Sequence, residues 1–335
     1  MSLASRLSRS VVFTLLSCWF AGCSQSSHSP EERYFLISTN IQIPYWQAAG
    51  AGFSRAASQM KVRTEFAGPN SYDEKAQVAE FQKAVRQKAS GILVSPADPV
   101  LMKPEIDAAI AAGIPVITFD SDLPGSRRLL FIGTNNYQAG VMGGEVAVKR
   151  LTGKGDVMVF TMPNQANLKE RLEGYKSVFA SHPQIKIVEV VDVHGDPRIA
   201  FDKTMEVLDK GTPKVDAFIC LEAQSGKEVA EVLHRKGATN KIVVAMDTDQ
   251  ETLEWIRKGV IVATIAQKPF TMAFFGLKVL DDLHHQQTST QGSPAAQDPF
   301  ASLPRFVDTG ATLVDKSNLD EFLKARDSAT TKNPS

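Results

Sequence analysis

The sequence predicts an α/β protein built as two doubly wound parallel-sheet lobes, on three observations. The chain has 335 residues, more than one average domain, and is 43% hydrophobic and 22% charged, an ordinary globular balance. From Tyr34 onward, short apolar, β-branched runs alternate with helix-length amphipathic stretches, the pattern of parallel strands joined by crossover helices. Ten such strands are too many for one comfortable sheet of this kind, and they fall into similar halves around Asn135.

The N-terminus reads as an export signal over residues 1–22. Arg6 and Arg9 supply positive charge, Val11 to Phe20 an apolar run too short to span a bilayer, and Ala21-Gly22 small residues before a cut. Phe20-Ala21-Gly22-Cys23 resembles a bacterial lipobox, in which Cys23 becomes the lipidated first residue of the mature chain; plain secretion with a free Cys23 thiol is the alternative. Residues 23–33, Ser-rich at their start, then read as a tether. Loss of Cys18 with the signal leaves Cys23 and Cys220, which is no disulfide framework. Cys220 lies in an apolar run and reads as a small core residue.

The ten strands are Tyr34–Thr39, Val62–Phe66, Gly91–Ser95, Pro115–Phe119, Leu130–Ile132, Asp156–Phe160, Ile185–Val193, Ala217–Leu221, Ile242–Met246 and Val260–Ile265. Apolar positions at helical spacing mark Glu74–Lys88, Val141–Leu151, Leu168–Ala180, Ile199–Leu208 and Phe270–Leu283, and a further helix starts near Tyr45. Gln286 to Pro299 reads as a surface loop, Arg305 to Leu313 as one more strand, and Ser317 to Lys324 as a short helix capped by Ser317. Residues 324–335 read as a frayed tail.

In open α/β sheets ligands bind beyond the carboxyl ends of the strands. There the chain places Asn40, Asp120, Ser121, Asp122, Asn135, Glu222, Asp247 and Gln267, groups that exchange paired hydrogen bonds with hydroxyls. Tyr45 and Trp46 at the mouth of the first strand offer rings on which the C–H face of a sugar stacks, or else pack in the core. Arg171, early on a helix, could present its planar fork to the crevice or form a surface pair with Glu170 or Glu173.

Gly113-Ile114-Pro115-Val116-Ile117-Thr118-Phe119-Asp120, Arg171-Leu172-Glu173-Gly174-Tyr175, Val243-Val244-Ala245-Met246-Asp247 and Val262-Ala263-Thr264-Ile265-Ala266-Gln267 together resemble the ribose-binding-protein-like group of periplasmic binding proteins of type I fold, over about Tyr34 to Leu323. The resemblance implies a three-crossing hinge near Thr134-Asn135, Gln267-Lys268 and Arg305. The N-terminal lobe would be 34–134 plus 268–304, and the C-terminal lobe 135–267 plus 305–323. It implies Asp120, Arg171, Asp247 and Gln267 as polar sugar ligands and Tyr45 and Trp46 as stacking aromatics. Glu222 replaces the Asn of the ribose binders, Ile43 replaces a polar ligand, and Ser121 stands where they have an Arg. His194-Gly195-Asp196-Pro197 lacks the aromatic that would sandwich the ring. Ribose is therefore not implied. Three carboxylates against one cation point to a ligand with many donors, or to an amine.

The implied activity is capture of a small polyhydroxylated ligand by lobe closure and its delivery to an ABC transporter permease, in the cell envelope and as a monomer. A sensor presenting its ligand to a membrane receptor uses the same closure and is the alternative. Lys+Arg and Asp+Glu are equal at 37, so no net field favours nucleic acid. A repressor of the lac type would begin with a helix-turn-helix where this chain has an export signal. No HExxH, Walker or nucleophile-elbow pattern occurs, and the six histidines are scattered without metal-ligand spacing, so neither catalysis, a cofactor nor a metal is expected.

Overall fold

The computed structural model describes residues 28–285 and 303–331, with side chains to residue 326. The signal, Cys23 and the loop expected over 286–299 lie outside the described residues. Among those described, the ten expected strands form, and the further strand expected over 305–313 forms as two.

The first lobe runs β1 (Arg33–Ile37), α1 (Pro44–Met60), β2 (Arg63–Ala67), α2 (Glu74–Arg86), β3 (Gly91–Val94), α3 (Pro99–Ala111), β4 (Val116–Phe119) and β5 (Phe131–Gly133). The chain then enters the second lobe as α4 (Asn136–Leu151), β6 (Gly155–Thr161), α5 (Ala166–Phe179), β7 (Ile185–Asp192), α6 (Pro197–Lys210), β8 (Ala217–Cys220), α7 (Ser225–Arg235), β9 (Ile242–Met246), α8 (Gln250–Lys258) and β10 (Ala263–Ala266). It returns to the first lobe as α9 (Pro269–His285) and β11 (Phe306–Asp308), and finishes in the second as β12 (Thr312–Asp315) and α10 (Leu319–Thr331).

The two sheets have the same order, β11-β5-β4-β3-β1-β2 and β12-β10-β9-β8-β6-β7. Every pairing is parallel except β12 with β10. The central strands are buried on both faces, as in Ile92, Leu93 and Val94 of β3 and Val157 to Phe160 of β6, which is why they read as unbroken apolar runs. Helices α1 and α9 cover one face of the first sheet, and α2 and α3 the other. In the second lobe α4 and α5 oppose α6, α7 and α8.

The segment 305–313 is two strands, not one: Phe306–Asp308 pairs with β5 and Thr312–Asp315 with β10. The third crossing thus lies at Thr309–Ala311 rather than near Arg305, because β11 completes the first sheet. Helices α3, α7 and α8 were not expected. Pro104 inside α3 reads as a breaker, and α7 and α8 have only 11 and 9 residues. Helix α10 continues to Thr331, through much of the expected frayed tail. Within the expected tether, His28 and Glu32 already bond to α9 and Glu32 is buried, while residues 29–31 are exposed.

Close helix contacts hold each lobe in register. A Cβ on Gly140 of α4 would lie 2.1 Å from the Arg171 carbonyl oxygen, and one on Gly174 of α5 would lie 2.2 Å from that of Tyr137. Both are backbone-on-backbone approaches, so no side chain can move aside. Gly140→Ala or Gly174→Ala should each destabilise the protein by about 2–3 kcal/mol in urea denaturation. Gly125→Ala, whose Cβ meets nothing within 4 Å, should stay within about 0.5 kcal/mol of the parent.

Candidate functional site

The carboxyl ends of both sheets face one cleft, lined by residues of both lobes, the place where open α/β sheets bind ligands. Asp120 follows β4 and Asp247 follows β9, equivalent strands of the two sheets. Both have left-handed backbones, φ 60° and 64°, a conformation that Asp tolerates better than most side chains. Both are buried, at 4% and 7% exposure.

Asp120 gathers the lobes together. Its Oδ1 accepts from Tyr45 Oη at 2.6 Å, and its Oδ2 from Ser95 Oγ at 3.1 Å and from Asn167 Nδ2 at 3.2 Å. Tyr45 and Asn167 are the second residues of α1 and α5, so one helix start from each lobe reaches the same carboxylate. A second bridge joins Gln165 Nε2 to Tyr72 Oη at 3.2 Å, and the Gly195 backbone lies against the Tyr72 ring. The lobes therefore meet across the cleft.

Arg171 is 2% exposed, so the surface pair with Glu170 or Glu173 does not form; Glu173 pairs with Lys176 instead. Its Nε donates to Asn136 Oδ1 at 2.9 Å, Nη1 to the Leu221 carbonyl at 2.7 Å, and Nη2 to Gln267 Oε1 at 2.7 Å. Three of the five N–H donors of a guanidinium are thus used within the protein, and each terminal nitrogen keeps one more. Gln267 turns its amide to Asp247, with Nε2 at 3.1 and 3.3 Å from the carboxylate oxygens. Asp247 accepts little else on its side chain and has the most free acceptor capacity of the set.

Burial pushes the Asp247 carboxyl up to about 7 against the pull of the Arg171 charge and the Gln267 hydrogen bond, with Asp120 adding to the rise. Burial also raises Asp120, opposed by Arg171, Tyr45 and Ser95. The Tyr45 hydroxyl is raised well above its usual value, first by burial and then by Asp120 and Asp247, so it remains a donor. Two buried carboxylates thus face one cation, and protonation of Asp247 is how the imbalance is relieved.

The cleft also brings together Asn40, Tyr45, Trp46 and Glu222. Trp46 lies edge-on between Tyr45 and Phe119, with centroids at 5.0 and 5.6 Å, so it both packs in the core and lines the cleft. Glu222 lines the wall but is committed as a cap: its oxygens accept from the Gln224 and Ser225 amides at 2.7 Å each, at the start of α7. Its charge is met by backbone donors, which weakens the expectation of an amine ligand.

Three sequence candidates are not brought to the cleft. Asp122 is held in an ion pair by Arg128, Ser121 is buried with its backbone amide donating to Ser95 Oγ, and Asn135 caps α4 by accepting from the Gln138 amide. Asn136, one residue on, makes the site contact. Sequence reasoning missed Tyr72, Gln165 and Asn167. Tyr72 follows β2, and Gln165 and Asn167 begin α5; the strand-end rule applied to β2 and β6 would have found them. On the second lobe Met162, Leu168, Val193 and Pro197 line the side where no aromatic stands.

Comparison with known proteins agrees with this geometry. The D-allose-binding periplasmic protein of Escherichia coli K12 is 24% identical over 260 residues, 74% of this chain and 83% of that protein. Among solved structures, AraP, an arabinose-binding protein from Geobacillus stearothermophilus, is 34% identical with a TM-score of 0.72, over 88% of this chain and 99% of that one. An ABC transporter solute-binding protein from Burkholderia graminis C4D1M, in complex with D-arabinose, is 28% identical with a TM-score of 0.78, over 88% and 98%. Residues 34–287 match the model of the periplasmic binding protein domain, and with two like-ordered sheets closing on a shared polar cleft, the chain belongs to the periplasmic binding protein family.

Proposed function

We propose that this protein captures a monosaccharide outside the cytoplasm and delivers it to an ABC transporter permease. The observation that carries this reading is the buried set Asp120, Arg171, Asp247 and Gln267 between two lobes, among relatives and neighbours whose names describe sugar binding. Asp247 and Arg171, joined through the Gln267 amide, keep spare acceptors and donors at the cleft wall, and Tyr45 and Trp46 give the cleft an aromatic wall. Asn40 and Glu222 complete its rim. The protein binds its sugar without altering it, and acts as a monomer. Cys23 is its lipid anchor, which fixes the protein near the permease; among the described residues no helix is long and apolar enough to cross a membrane.

Each hydrogen bond to a charged group in such a cleft contributes about 1.5–3 kcal/mol, so four supply about 6–12 kcal/mol, a range that spans the roughly 8 kcal/mol of micromolar binding before ordering costs. Thermal-shift screening of pentoses, hexoses, polyols and amino sugars should find at least one that raises the unfolding temperature, since ligand binding to the folded state alone stabilises it. Mass spectrometry should recover that sugar unchanged. Arg171→Lys retains the charge and loses the fork, and should weaken the sugar by about 2 kcal/mol, roughly 30-fold, in titration calorimetry. Unchanged affinity would remove Arg171 from the site.

The Asp247 proton gives a second test. Its folded value lies above that of the unfolded chain, so without sugar the group takes up a proton on folding between about pH 4 and 7, and its contribution to stability falls as pH rises through that window. A sugar hydroxyl donating to Asp247 favours the charged form. Binding should therefore release a proton near neutrality, and affinity should rise from about pH 5.5 to about pH 8, by at most about tenfold per pH unit. Asp247→Asn should abolish the dependence. A flat profile in the parent protein would show that the sugar does not meet this carboxylate.

A further inference from the structure

At the opposite end of the first lobe, where β1 begins, two histidines and two carboxylates converge. His28 and Glu32 come from the segment before β1, and Asp281 and His285 from the last turn of α9. Each pair is spaced i, i+4, and one donor atom from each of the four residues lies within 4.8 Å of the others. His28 Nε2 is 3.1 Å from Asp281 Oδ1, while His285 Nε2 is 3.1 Å from Glu32 Oε2 and 3.5 Å from Asp281 Oδ1. The same nitrogen of both rings points into the cluster.

We propose that these four residues form a site for a divalent transition-metal ion of the Zn²⁺ class. Two imidazole nitrogens and two carboxylate oxygens are a four-donor set suited to Zn²⁺, whereas Ca²⁺ and Mg²⁺ require six or more oxygens, several of them absent here. Tetrahedral ligands at about 2.0–2.1 Å stand about 3.3–3.5 Å apart, so the widest separation in the cluster has to contract by about 1.3–1.5 Å. With neutral imidazoles the set carries two negative charges, which a divalent ion cancels.

Hydrogen-bonded His–carboxylate pairs alone would account for the individual contacts, but not for the meeting of the two pairs. Glu32 and Asp281 side chains are 8% and 14% exposed, and among the described residues their ion pairs are with these imidazoles only. Two largely buried carboxylates sharing one spot without Lys or Arg repel each other unless a cation or proton intervenes. The surroundings also orient the ligands. Tyr34 Oη donates to Asp281 Oδ1 at 2.8 Å, and the Ser29 amide to Glu32 Oε1 at 2.6 Å, the outer hydrogen bonds that fix metal-binding carboxylates.

The ion would staple the start of the folded chain to α9. The site lies at the far end of that 17-residue helix, about 25 Å from the hinge, so it would act on the anchor side of the molecule without entering the cleft.

The test is a zinc titration of the full chain carrying no histidine tag, followed by calorimetry and by metal content after dialysis. One Zn²⁺ per chain and a raised unfolding temperature are expected, and Co²⁺ in its place should give the visible absorption of a tetrahedral site. His28→Ala and His285→Ala should each weaken zinc at least tenfold, while the double variant His182→Ala/His194→Ala binds as the parent does. Circular dichroism keeps failure to fold distinct from failure to bind, and Asp281→Asn gives a milder second variant. Absence of zinc uptake at ~10 μM free metal, or uptake undiminished in His28→Ala/His285→Ala, would overturn the site.

Discussion

The Arg171 guanidinium is the constraint on which the cleft depends. A cation taken almost wholly out of water must be repaid by hydrogen bonds and opposing charge. Here the three bonds come from three places: Asn136 at the entry to the second lobe, Leu221 at the end of β8, and Gln267 at the second crossing. One side chain thus fixes two of the hinge strands relative to a central strand of the sheet. Its charge is also what keeps Asp120 and Asp247 from rising further. The carboxylates and the guanidinium are mutually necessary, and none of them has a stable buried state alone.

That arrangement is built on backbone geometry. Gly140 lets α4 approach the Arg171 carbonyl, and Gly174 lets α5 approach that of Tyr137. The Tyr175 hydroxyl fills the space over Gly143. The run Arg171 to Tyr175 is therefore a packing motif as much as a binding motif: the small residue sets the distance between helices, and the distance sets where the guanidinium points. The left-handed turns at Asp120 and Asp247 aim two equivalent carboxylates at the same space from opposite lobes.

The division of roles among the acidic residues follows from what else each carboxylate must satisfy. Glu222 answers two amides at a helix start, Asp122 answers Arg128, and Asp120 answers three side chains. Asp247 answers Gln267 alone, through its side-chain amide and its backbone N–H. It is the carboxylate with acceptor capacity left over, and the one that burial raises to about 7, so free acceptors and a proton retained toward neutral pH coincide in one group.

The two-lobed architecture was legible in the sequence because period-two and helical apolar patterns are local, and strands buried on both faces announce themselves as continuous apolar runs. The strand-end rule and the family motifs picked out Tyr45, Trp46, Asp120, Arg171, Glu222, Asp247 and Gln267, all of which reach one cleft. What the sequence could not decide was set by contacts between distant segments. The third crossing moved because Phe306–Asp308 finds β5 rather than β10. Asp122 and Asn135 left the site because each found a nearer partner, and Asn167, Gln165 and Tyr72 entered it because the two lobes meet across the cleft. His28 and Asp281, 253 positions apart, looked scattered for the same reason. Periodicity records how a segment folds on itself, and only packing decides which segments share a place.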